Sequence, residues 1–263
     1  MIKVIVHGAA GNMGCQTLQA LCSDAGMQAV GAVDMKASQD RLPLPDGSGD
    51  IPYSTSLETI IAKTEPDAIV DFSIKEASVA AMRLALKHRV NMVIGTTGFS
   101  ASDIEEFSNS SQQAGIGVLI APNFSIGAVL MIHLAAIAAR HFDYAEIIEM
   151  HHEKKADAPS GTALSTAQAM VQSRGKPFDY PRLKKETLAG TRGGKHDGVG
   201  VHSVRLPGLL AHQEVILGTL GQTLTIRHDT ISREAFMPGV LMAIRHVVKV
   251  KGLVYGLDKI LGL

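Results

Sequence analysis

Residues 149–162, EMHHEKKADAPSGT, carry the densest group of side chains that could do chemistry. The adjacent histidines His151 and His152 are followed by the adjacent lysines Lys154 and Lys155. Histidine transfers protons near neutral pH, and a lysine ammonium stabilises developing negative charge. This pattern predicts an enzyme site that holds an anionic substrate and protonates it.

A turn and a helix start complete the stretch. Pro159 favours an extended conformation at Ala158, and a helix is predicted to open at Ser160, Gly161 and Thr162. The free backbone N–H groups of a first helical turn, together with a hydroxyl, form a seat for a carboxylate. A substrate with two carboxylates could be gripped by this seat and by a lysine.

The preceding element decides where the histidines point. Residues 144–150 are predicted to form a strand, in which successive side chains point to opposite faces. His151 and His152 therefore cannot both aim at one point unless the strand ends there. We expect one to contact the reacting centre and the other to orient the substrate. Charge alone does not choose between Lys154 and Lys155 as the catalytic lysine.

A metal site is the competing interpretation of the histidines, and we predict none. Adjacent histidines are poorly spaced for one metal ion, and the chain has no HExxH motif. Cys15 and Cys22 are remote in sequence. They are predicted to be packing residues on one helix, about 10 Å apart along its axis and too far for a disulfide. This indicates a reducing compartment.

The N-terminal residues predict a nucleotide site. An apolar, β-branched strand at 2–7 runs into a turn with Gly8, Gly11 and Gly14, and a helix follows. In a dinucleotide-binding fingerprint, glycines let the backbone approach a pyrophosphate at a helix N-terminus. The spacing is GxxGxxG rather than the commoner GxGxxG, and a glycine turn alone is weak evidence.

The next predicted strand, at 28–34, strengthens this interpretation. It ends in Asp34, where an acidic residue can accept hydrogen bonds from the adenosine ribose. Lys36 could instead pair with the 2′-phosphate of NADP. The sequence therefore predicts NADH or NADPH as the cofactor and leans toward NAD or dual use.

Strands and helices alternate through the first half of the chain, apart from a Pro/Gly/Asp-rich segment at 36–56 that is predicted to be a loop. Further strands are predicted at 67–73, 91–100 and 117–125, and helices at 57–63, 76–88 and 101–114. This alternation predicts an α/β fold with an N-terminal Rossmann-like, doubly wound parallel sheet. Because ligands bind at the carboxyl ends of such strands, residues 95–98 and 121–124 are further cofactor candidates.

The second half predicts another architecture. Residues 126–141 are apolar nearly all round, which predicts a buried helix. A strand at 199–208 and a hairpin at 213–228 predict a second α+β domain on an open mixed sheet, whose exposed face is a candidate oligomer contact. The stretch from 232 is predicted to be largely helical and to return to the first domain. We predict a dinucleotide-binding domain of residues 1–122 and 231–263, and a substrate-binding and oligomerisation domain of residues 123–230.

Bulk properties exclude several classes of protein. The formal net charge is zero, so nothing favours a nucleic-acid or membrane surface as a partner. The longest apolar run, 126–139, is too short to span a bilayer, and the chain opens with a strand rather than a signal peptide. We expect a cytoplasmic protein.

The motif HHEKKADAPSGTA resembles the substrate motif of the 4-hydroxy-tetrahydrodipicolinate reductases, also called dihydrodipicolinate reductases. The resemblance extends over almost the whole chain. It includes VHGAAGNMG at the start, DFS at 71–73, GTTGF at 95–99, APNFS at 121–125, VHSVRLPG at 201–208 and SREAFMPG at 232–239. The substrate motif is specific, whereas the glycine turn is not.

The resemblance implies a homotetramer that reduces a cyclic dicarboxylate with NADH or NADPH in lysine and diaminopimelate biosynthesis. It implies that His151 is the proton donor or acceptor and that Lys155, rather than Lys154, is a second proton donor. The implied substrate contacts are His152, Ser160, Gly161 and Thr162. The implied cofactor-lining residues are Gly8, Ala9, Ala10, Gly11, Asn12, Met13, Asp34, Gly95, Thr96, Thr97, Ala121, Pro122, Asn123 and Phe124.

One departure from the family pattern and two alternative functions bear on these expectations. Met35 stands where some family members carry an arginine suited to the NADP phosphate, which argues against a strict NADP preference. Another two-domain NAD(P)-dependent dehydrogenase of a small acidic metabolite is the alternative enzyme. A catalytically silent nucleotide sensor on the same fold could lose the His/Lys pair without consequence, and here both are present.

Overall fold

The computed structural model describes residues 1–263, which form two compact units, Met1–Ser125 with Phe236–Leu263 and Ile126–Ala235. The helices are α1 Asn12–Cys22, α2 Leu57–Thr64, α3 Lys75–His88, α4 Ala101–Ala114, α5 Ile126–Ala138, α6 Gly161–Arg174, α7 Met237–Val247 and α8 Asp258–Leu261, with 3-10 turns at Ala139–His141 and Arg233–Phe236. The strands are β1 Ile2–His7, β2 Met27–Val33, β3 Arg41–Pro43, β4 Asp50–Ser54, β5 Ala68–Asp71, β6 Asn91–Ile94, β7 Gly117–Ile120, β8 Tyr144–His151, β9 Gly194–His196, β10 Val199–Arg205, β11 Ala211–Thr219, β12 Gln222–Thr230 and β13 Gly252–Tyr255. None of these helices has both the length and the apolar character to cross a membrane.

The first unit is built on an eight-stranded sheet in the order β13-β7-β6-β5-β1-β2-β4-β3. The strands pair in parallel, except that β3 is antiparallel to β4. Val4, Ile5 and Val6 of the central strand are fully buried, as a continuous apolar run in a sheet covered on both faces requires. The predicted Rossmann-like sheet is confirmed.

The order of the strands sets where a ligand can bind. From β1 the chain runs to β2 and β4 on one side, and then returns to β5 on the other side of β1. The direction of the connections therefore reverses between β1 and β5. Parallel strands bring their carboxyl ends to one edge, and a crevice forms where the order reverses.

One sequence prediction in this unit is wrong. Residues 36–56 are not all loop, because β4 pairs with β2 and forms a hairpin with β3. The single buried Ile51 anchors β4, and so few apolar residues give no periodic signal. The last stretch is largely helical, as predicted, and β13 is an additional strand that extends the sheet beside β7. Four residues after a helix are too short a run to predict as a strand.

The second unit is built on a five-stranded mixed sheet in the order β12-β11-β8-β10-β9. Its central strand, β8, runs parallel to β10 and antiparallel to β11. Alternate residues of β8, Ala145, Ile147 and Glu149, are buried. The two apolar ones join a core with residues of α5 and α6. The predicted second domain on an open mixed sheet is confirmed, and the hairpin turns at Gly221, whose φ is +75°.

Residues 126–141 are helical, as predicted, but within this single chain the helix is buried on one side only. The α-helix ends at Ala138 and continues as a 3-10 turn. Ala135 and Met131 are buried, but Leu134 and Ile137 are 50% and 46% exposed. The apolar composition therefore does not decide which side of this helix is covered.

Candidate active site

Glu149 and His151 meet at the end of β8. They lie two residues apart on one strand, so their side chains share a face. Oε2 of Glu149 lies 2.5 Å from Nδ1 of His151. The glutamate side chain is fully buried, and the imidazole is 14% exposed. The strand thus presents a histidine at its rim and a carboxylate directly behind it.

Arg205 binds this carboxylate from the neighbouring strand. Residue 205 pairs with His151 in the register of β10 and β8. Its guanidinium donates two hydrogen bonds to Glu149, from Nη1 to Oε2 at 2.9 Å and from Nη2 to Oε1 at 2.8 Å. Nη2 also donates to the backbone oxygen of Asp157 at 2.6 Å. The arginine therefore joins the strand end to the loop that follows it.

These contacts set the ionisation of both titratable groups. Burial opposes ionisation of Glu149, but the hydrogen bonds from Arg205, Ser203 and His151 together outweigh it and hold the pKa of this carboxyl below its usual range. Burial also lowers the pKa of His151, and the contact with Glu149 opposes that shift. A buried carboxylate anion thus faces an imidazole whose neutral form is favoured.

The helix start predicted at Ser160–Thr162 belongs to α6. Ser160 is the N-cap, and its hydroxyl accepts a hydrogen bond from the N–H of Ala163 at 3.2 Å. The first turn contains no acidic residue. The N–H groups of Gly161 and Thr162 lie ahead of the first intrahelical hydrogen bonds. This end of the helix can therefore accept an anion.

The loop between β8 and α6 distinguishes the two lysines. Lys154 is exposed, whereas Lys155 is half-buried. Nζ of Lys155 donates to the carboxylate of Asp157 at 2.7 Å, and its backbone N–H donates to the oxygen of His152 at 3.2 Å. His152 is half-buried just past the end of the strand. The Ala158–Pro159 peptide bond is cis.

In the first unit, two glycines of the turn after β1 lie too close to neighbouring backbone to carry a side chain. Gly8 has a φ of +81°, and a β-carbon there would lie 2.5 Å from the carbonyl oxygen of Phe72. A β-carbon at Gly14 would lie 2.2 Å from the oxygen of Gly8. Helix α1 begins with Gly11 as its N-cap, with no side-chain cap and no acidic residue in its first turn. These residues fit the pyrophosphate of a dinucleotide.

Asp34, just past β2, is held against this turn. Its Oδ2 accepts a hydrogen bond from the N–H of Ala10, and its Oδ1 accepts one from the N–H of Lys36, both at 2.9 Å. Carboxylate oxygens have further lone pairs, so the same group can accept from ribose hydroxyls. The geometry thus fits the predicted adenosine end of a dinucleotide.

The remaining cofactor candidates follow β6 and β7. Gly95 lies against two aromatic rings, since a β-carbon there would be 2.1 Å from a ring carbon of Phe72 and 3.1 Å from one of Phe124. These rings meet edge to face with centroids 5.7 Å apart. Thr96 donates to the buried carboxylate of Asp71 at 2.8 Å. All predicted cofactor residues therefore lie at or beyond the carboxyl ends of strands of one sheet, in the segments Gly8–Met13, Asp34, Gly95–Thr97 and Ala121–Phe124.

Sequence reasoning missed three buried or half-buried members of these clusters. The position of Glu149 could have been inferred from the sequence, because a residue two positions before His151 on a strand lies on the same face. Arg205 carried none, since its contact depends on the pairing of β8 with β10. Asp71 lies within the strand predicted at 67–73, but the partners of its side chain depend on strand order, which the sequence does not show.

The comparisons with known proteins cover the whole chain. Residues 2–124 match the family model described as dihydrodipicolinate reductase, N-terminus, and residues 127–261 match the model of its C-terminus. A 4-hydroxy-tetrahydrodipicolinate reductase of Dehalococcoides mccartyi (strain ATCC BAA-2266 / KCTC 15142 / 195) is 55% identical over 262 residues, which are 100% of this chain and 99% of the relative. One of Moorella thermoacetica is 47% identical over 266 residues, covering 99% of this chain and 98% of the relative.

A solved structure gives the same result. The dipicolinate-bound dihydrodipicolinate reductase of Paenisporosarcina sp. TG-14 superposes with a TM-score of 0.87 and 40% sequence identity, over 98% of this chain and 99% of that chain. Fold, sequence and both family models agree along the full length. The chain belongs to the dihydrodipicolinate reductase family.

Proposed function

We propose that this protein reduces 4-hydroxy-tetrahydrodipicolinate to tetrahydrodipicolinate with NADH or NADPH, a step of lysine and diaminopimelate biosynthesis. The observation that carries the proposal is the cluster at the end of β8. There His151, Lys155 and the first turn of α6, which contains no acidic residue, follow one another within a chain similar to such reductases over its whole length. The similar solved structure is bound to dipicolinate, a dicarboxylate that suits a cation and a helix N-terminus.

His151 and Lys155 have the proton-handling roles in this proposal. Loss of the 4-hydroxyl group of the substrate as water leaves a ring carbon conjugated with the imine, and the reduced nicotinamide, when bound, supplies the hydride that adds to this carbon. The resulting enamine carbanion takes a proton from His151 or Lys155, and the other cation stabilises the negative charge while it develops. His152 orients the substrate. Gly161 and Thr162 donate their N–H groups to one carboxylate, and Ser160 holds that turn in place.

The two units divide the work. We assign dinucleotide binding to the first unit, with the glycine turn at Gly8–Met13 for the pyrophosphate and Asp34 for the adenosine ribose. Gly95–Thr97 and Ala121–Phe124 line the remaining length of the cofactor. We assign substrate binding and oligomerisation to the second unit.

A coupled assay tests the function. The substrate is made in place from pyruvate and aspartate semialdehyde by its synthase, and the loss of NADH and of NADPH absorbance is followed in separate runs. We expect oxidation of at least one cofactor that depends on both the synthase and this protein. No oxidation of either cofactor would reject the function. A panel of small acidic keto and imino acids tests the alternative dehydrogenase, which requires a substrate outside this pathway to be preferred.

We also propose a homotetramer in the cytoplasm. The support for assembly is a set of exposed apolar side chains on the strands of the second unit, Tyr144, Val204 and Leu224. The support for the compartment is the pair of free cysteines, Cys15 and Cys22. Light scattering coupled to gel filtration measures the mass of the assembly, and cell fractionation tests the location.

A further inference from the structure

We propose that Glu149, clamped by Arg205, is a positioning residue that fixes the tautomer and orientation of His151 and ties it to the carboxylate seat of α6. The role of His151 in proton transfer rests on the proposed function. The position of Glu149 does not, because it follows from contacts within the second unit.

Both oxygens of the Glu149 carboxylate accept hydrogen bonds from groups of the fold. Oε1 accepts from Arg205 at 2.8 Å and from the N–H of Ser160 at 3.2 Å. Oε2 accepts from Arg205 at 2.9 Å and lies 2.5 Å from Nδ1 of His151. A fully buried carboxylate is expected to be ionised only when it is satisfied in this way. The carboxylate can therefore act as an anion of fixed position. Of its partners, the imidazole of His151 is the one that lies at the rim of the site.

This arrangement decides which nitrogen of His151 carries the proton. An ionised carboxylate only accepts hydrogen bonds, so Nδ1 must be the donor to Oε2. In the neutral imidazole the lone pair then lies on Nε2. Nε2 is therefore the atom that gives or takes the proton. Without Glu149, neither tautomer would be imposed and the ring could rotate.

The same carboxylate also joins parts of the site that are distant in sequence. The N–H of Ser160, the N-cap of α6, donates to Glu149 across eleven residues of chain. Arg205 extends the contact to the backbone oxygen of Asp157 in the intervening loop. A shift of Glu149 would therefore move both the proton donor and the seat of the substrate carboxylate.

The charges around His151 predict the direction in which its pKa should change when Glu149 is replaced. The anion Glu149 on β8 favours the imidazolium, whereas Lys155 in the following loop and Arg205 on β10 disfavour it. On β11 the residue paired with His151 is Ala211, which carries no charge. Loss of the anion must therefore lower the pKa of His151.

The test compares two matched variants. Glu149→Gln keeps the size and one acceptor oxygen but removes the charge. The control is Glu146→Gln on the same strand, where Glu146 lies on the opposite face and pairs with Arg192 and with Nε2 of His202 at 2.7 Å. Each change removes a carboxylate between an arginine and a histidine, but only one faces His151. Both enzymes are assayed for kcat and kcat/KM across pH in the coupled assay.

We expect kcat of Glu149→Gln to fall about a hundredfold, within the usual effect of a misplaced general acid. In the free enzyme His151 must carry its proton, so kcat/KM falls as pH rises through its pKa. In the Glu149→Gln variant, the pH at which kcat/KM falls to half of its maximum should be about one pH unit lower. This decrease is the alkaline limb of the pH profile. Glu146→Gln should keep the profile of the original enzyme. An active Glu149→Gln enzyme with an unshifted limb would overturn the proposal.

Nitrogen-15 NMR of the histidine rings tests the same point without a glutamate variant or turnover. The His151 signals are assigned by their loss in His151→Asn. We expect the neutral ring to be the Nδ1–H tautomer, and the Nε2–H tautomer would contradict the proposal even if Glu149→Gln failed to fold. An inactive original enzyme with the Nδ1–H tautomer would reject the proposed function and leave the role of Glu149 intact.

Discussion

The hydroxyl of Thr96 donates a hydrogen bond of 2.8 Å to the carboxylate of Asp71, and both side chains are buried at the carboxyl ends of neighbouring strands. The same carboxylate lies 2.7 Å from Nδ1 of His7 and accepts from the hydroxyl of Ser73 at 2.6 Å. Burial alone would raise the pKa of Asp71, but the contacts with His7 and Ser73 outweigh it and lower that pKa. One buried carboxylate thus fastens the ends of β1, β5 and β6.

Asp71→Asn should destabilise the protein by about 1–3 kcal/mol, because an amide can replace only part of these hydrogen bonds. Since the folded-state pKa of Asp71 is lowered, its ionisation stabilises the fold above the unfolded pKa of about 4 and this contribution is lost as pH falls through the folded value. Urea denaturation at several pH values measures both effects. The difference between the two proteins should be largest near neutral pH and shrink in acid.

Asp50→Asn is the control for this change. Asp50 pairs with Arg41 on an exposed hairpin, so its loss should leave the free energy of unfolding within experimental error. Equal effects of the two substitutions would contradict the assigned role of Asp71.

The strand ends were predictable from the sequence, but the contacts of Asp71 were not. Apolar runs bounded by glycine indicate where β1 and β6 stop, and parallel pairing then places their ends on one edge. The side chain that joins them depends on strand order, since β5 follows β4 in sequence yet lies beside β1. A single sequence does not contain that order.

Asp34→Asn should weaken NADH binding about tenfold, the effect of losing one charge-assisted hydrogen bond. The amide can still accept from the N–H of Ala10, so the glycine turn should keep its shape. Binding of NADPH should be unchanged or tighter, because the substitution removes a negative charge near the 2′-phosphate. Each reduced cofactor is titrated with the protein, and the change in nicotinamide fluorescence on binding gives the dissociation constants of NADH and of NADPH.

Lys36→Ala is the matched substitution two residues away. It should weaken NADPH alone if the lysine meets the 2′-phosphate. A uniform loss of both cofactors in both variants would show that neither residue selects between them.

Gly161→Ala should raise KM without loss of stability. A β-carbon at Gly161 would meet nothing within 4 Å, and this residue does not have the positive φ that favours glycine. Alanine is the better helix former by up to about 1 kcal/mol, so the fold alone does not explain glycine here. We infer that a substrate carboxylate uses the space. Thermal unfolding together with steady-state kinetics tests this, and an unchanged KM would remove Gly161 from the seat.

The site shows the same division between what sequence can and cannot provide. The start of α6 follows from local rules, because Ser-Gly-Thr after a proline predicts a helix start. The contacts of Arg205 with Glu149 and of Glu149 with His151 depend on two kinds of information. A local rule places Glu149 and His151 on the same face of one strand, whereas the pairing of β8 with β10, which brings Arg205 to Glu149, is not local. The prediction that residues 36–56 form a loop was wrong because the strand β4 is specified by its pairing with β2 rather than by its own composition.

Lys155→Ala should lower kcat by about 10²–10⁴, the usual contribution of a positioned proton donor. Its ammonium is half-buried and held by the exposed carboxylate of Asp157, a partner that a substrate anion can replace. Lys154→Ala is the control, because Lys154 is exposed on the same loop, and this variant should retain near-normal turnover. Circular dichroism and cofactor binding check that both variants fold. Near-normal kcat in Lys155→Ala would exclude this lysine from the mechanism.

Asp157→Asn adds a third measurement. This substitution removes the carboxylate that holds the ammonium of Lys155, so KM should fall if Lys155 binds substrate.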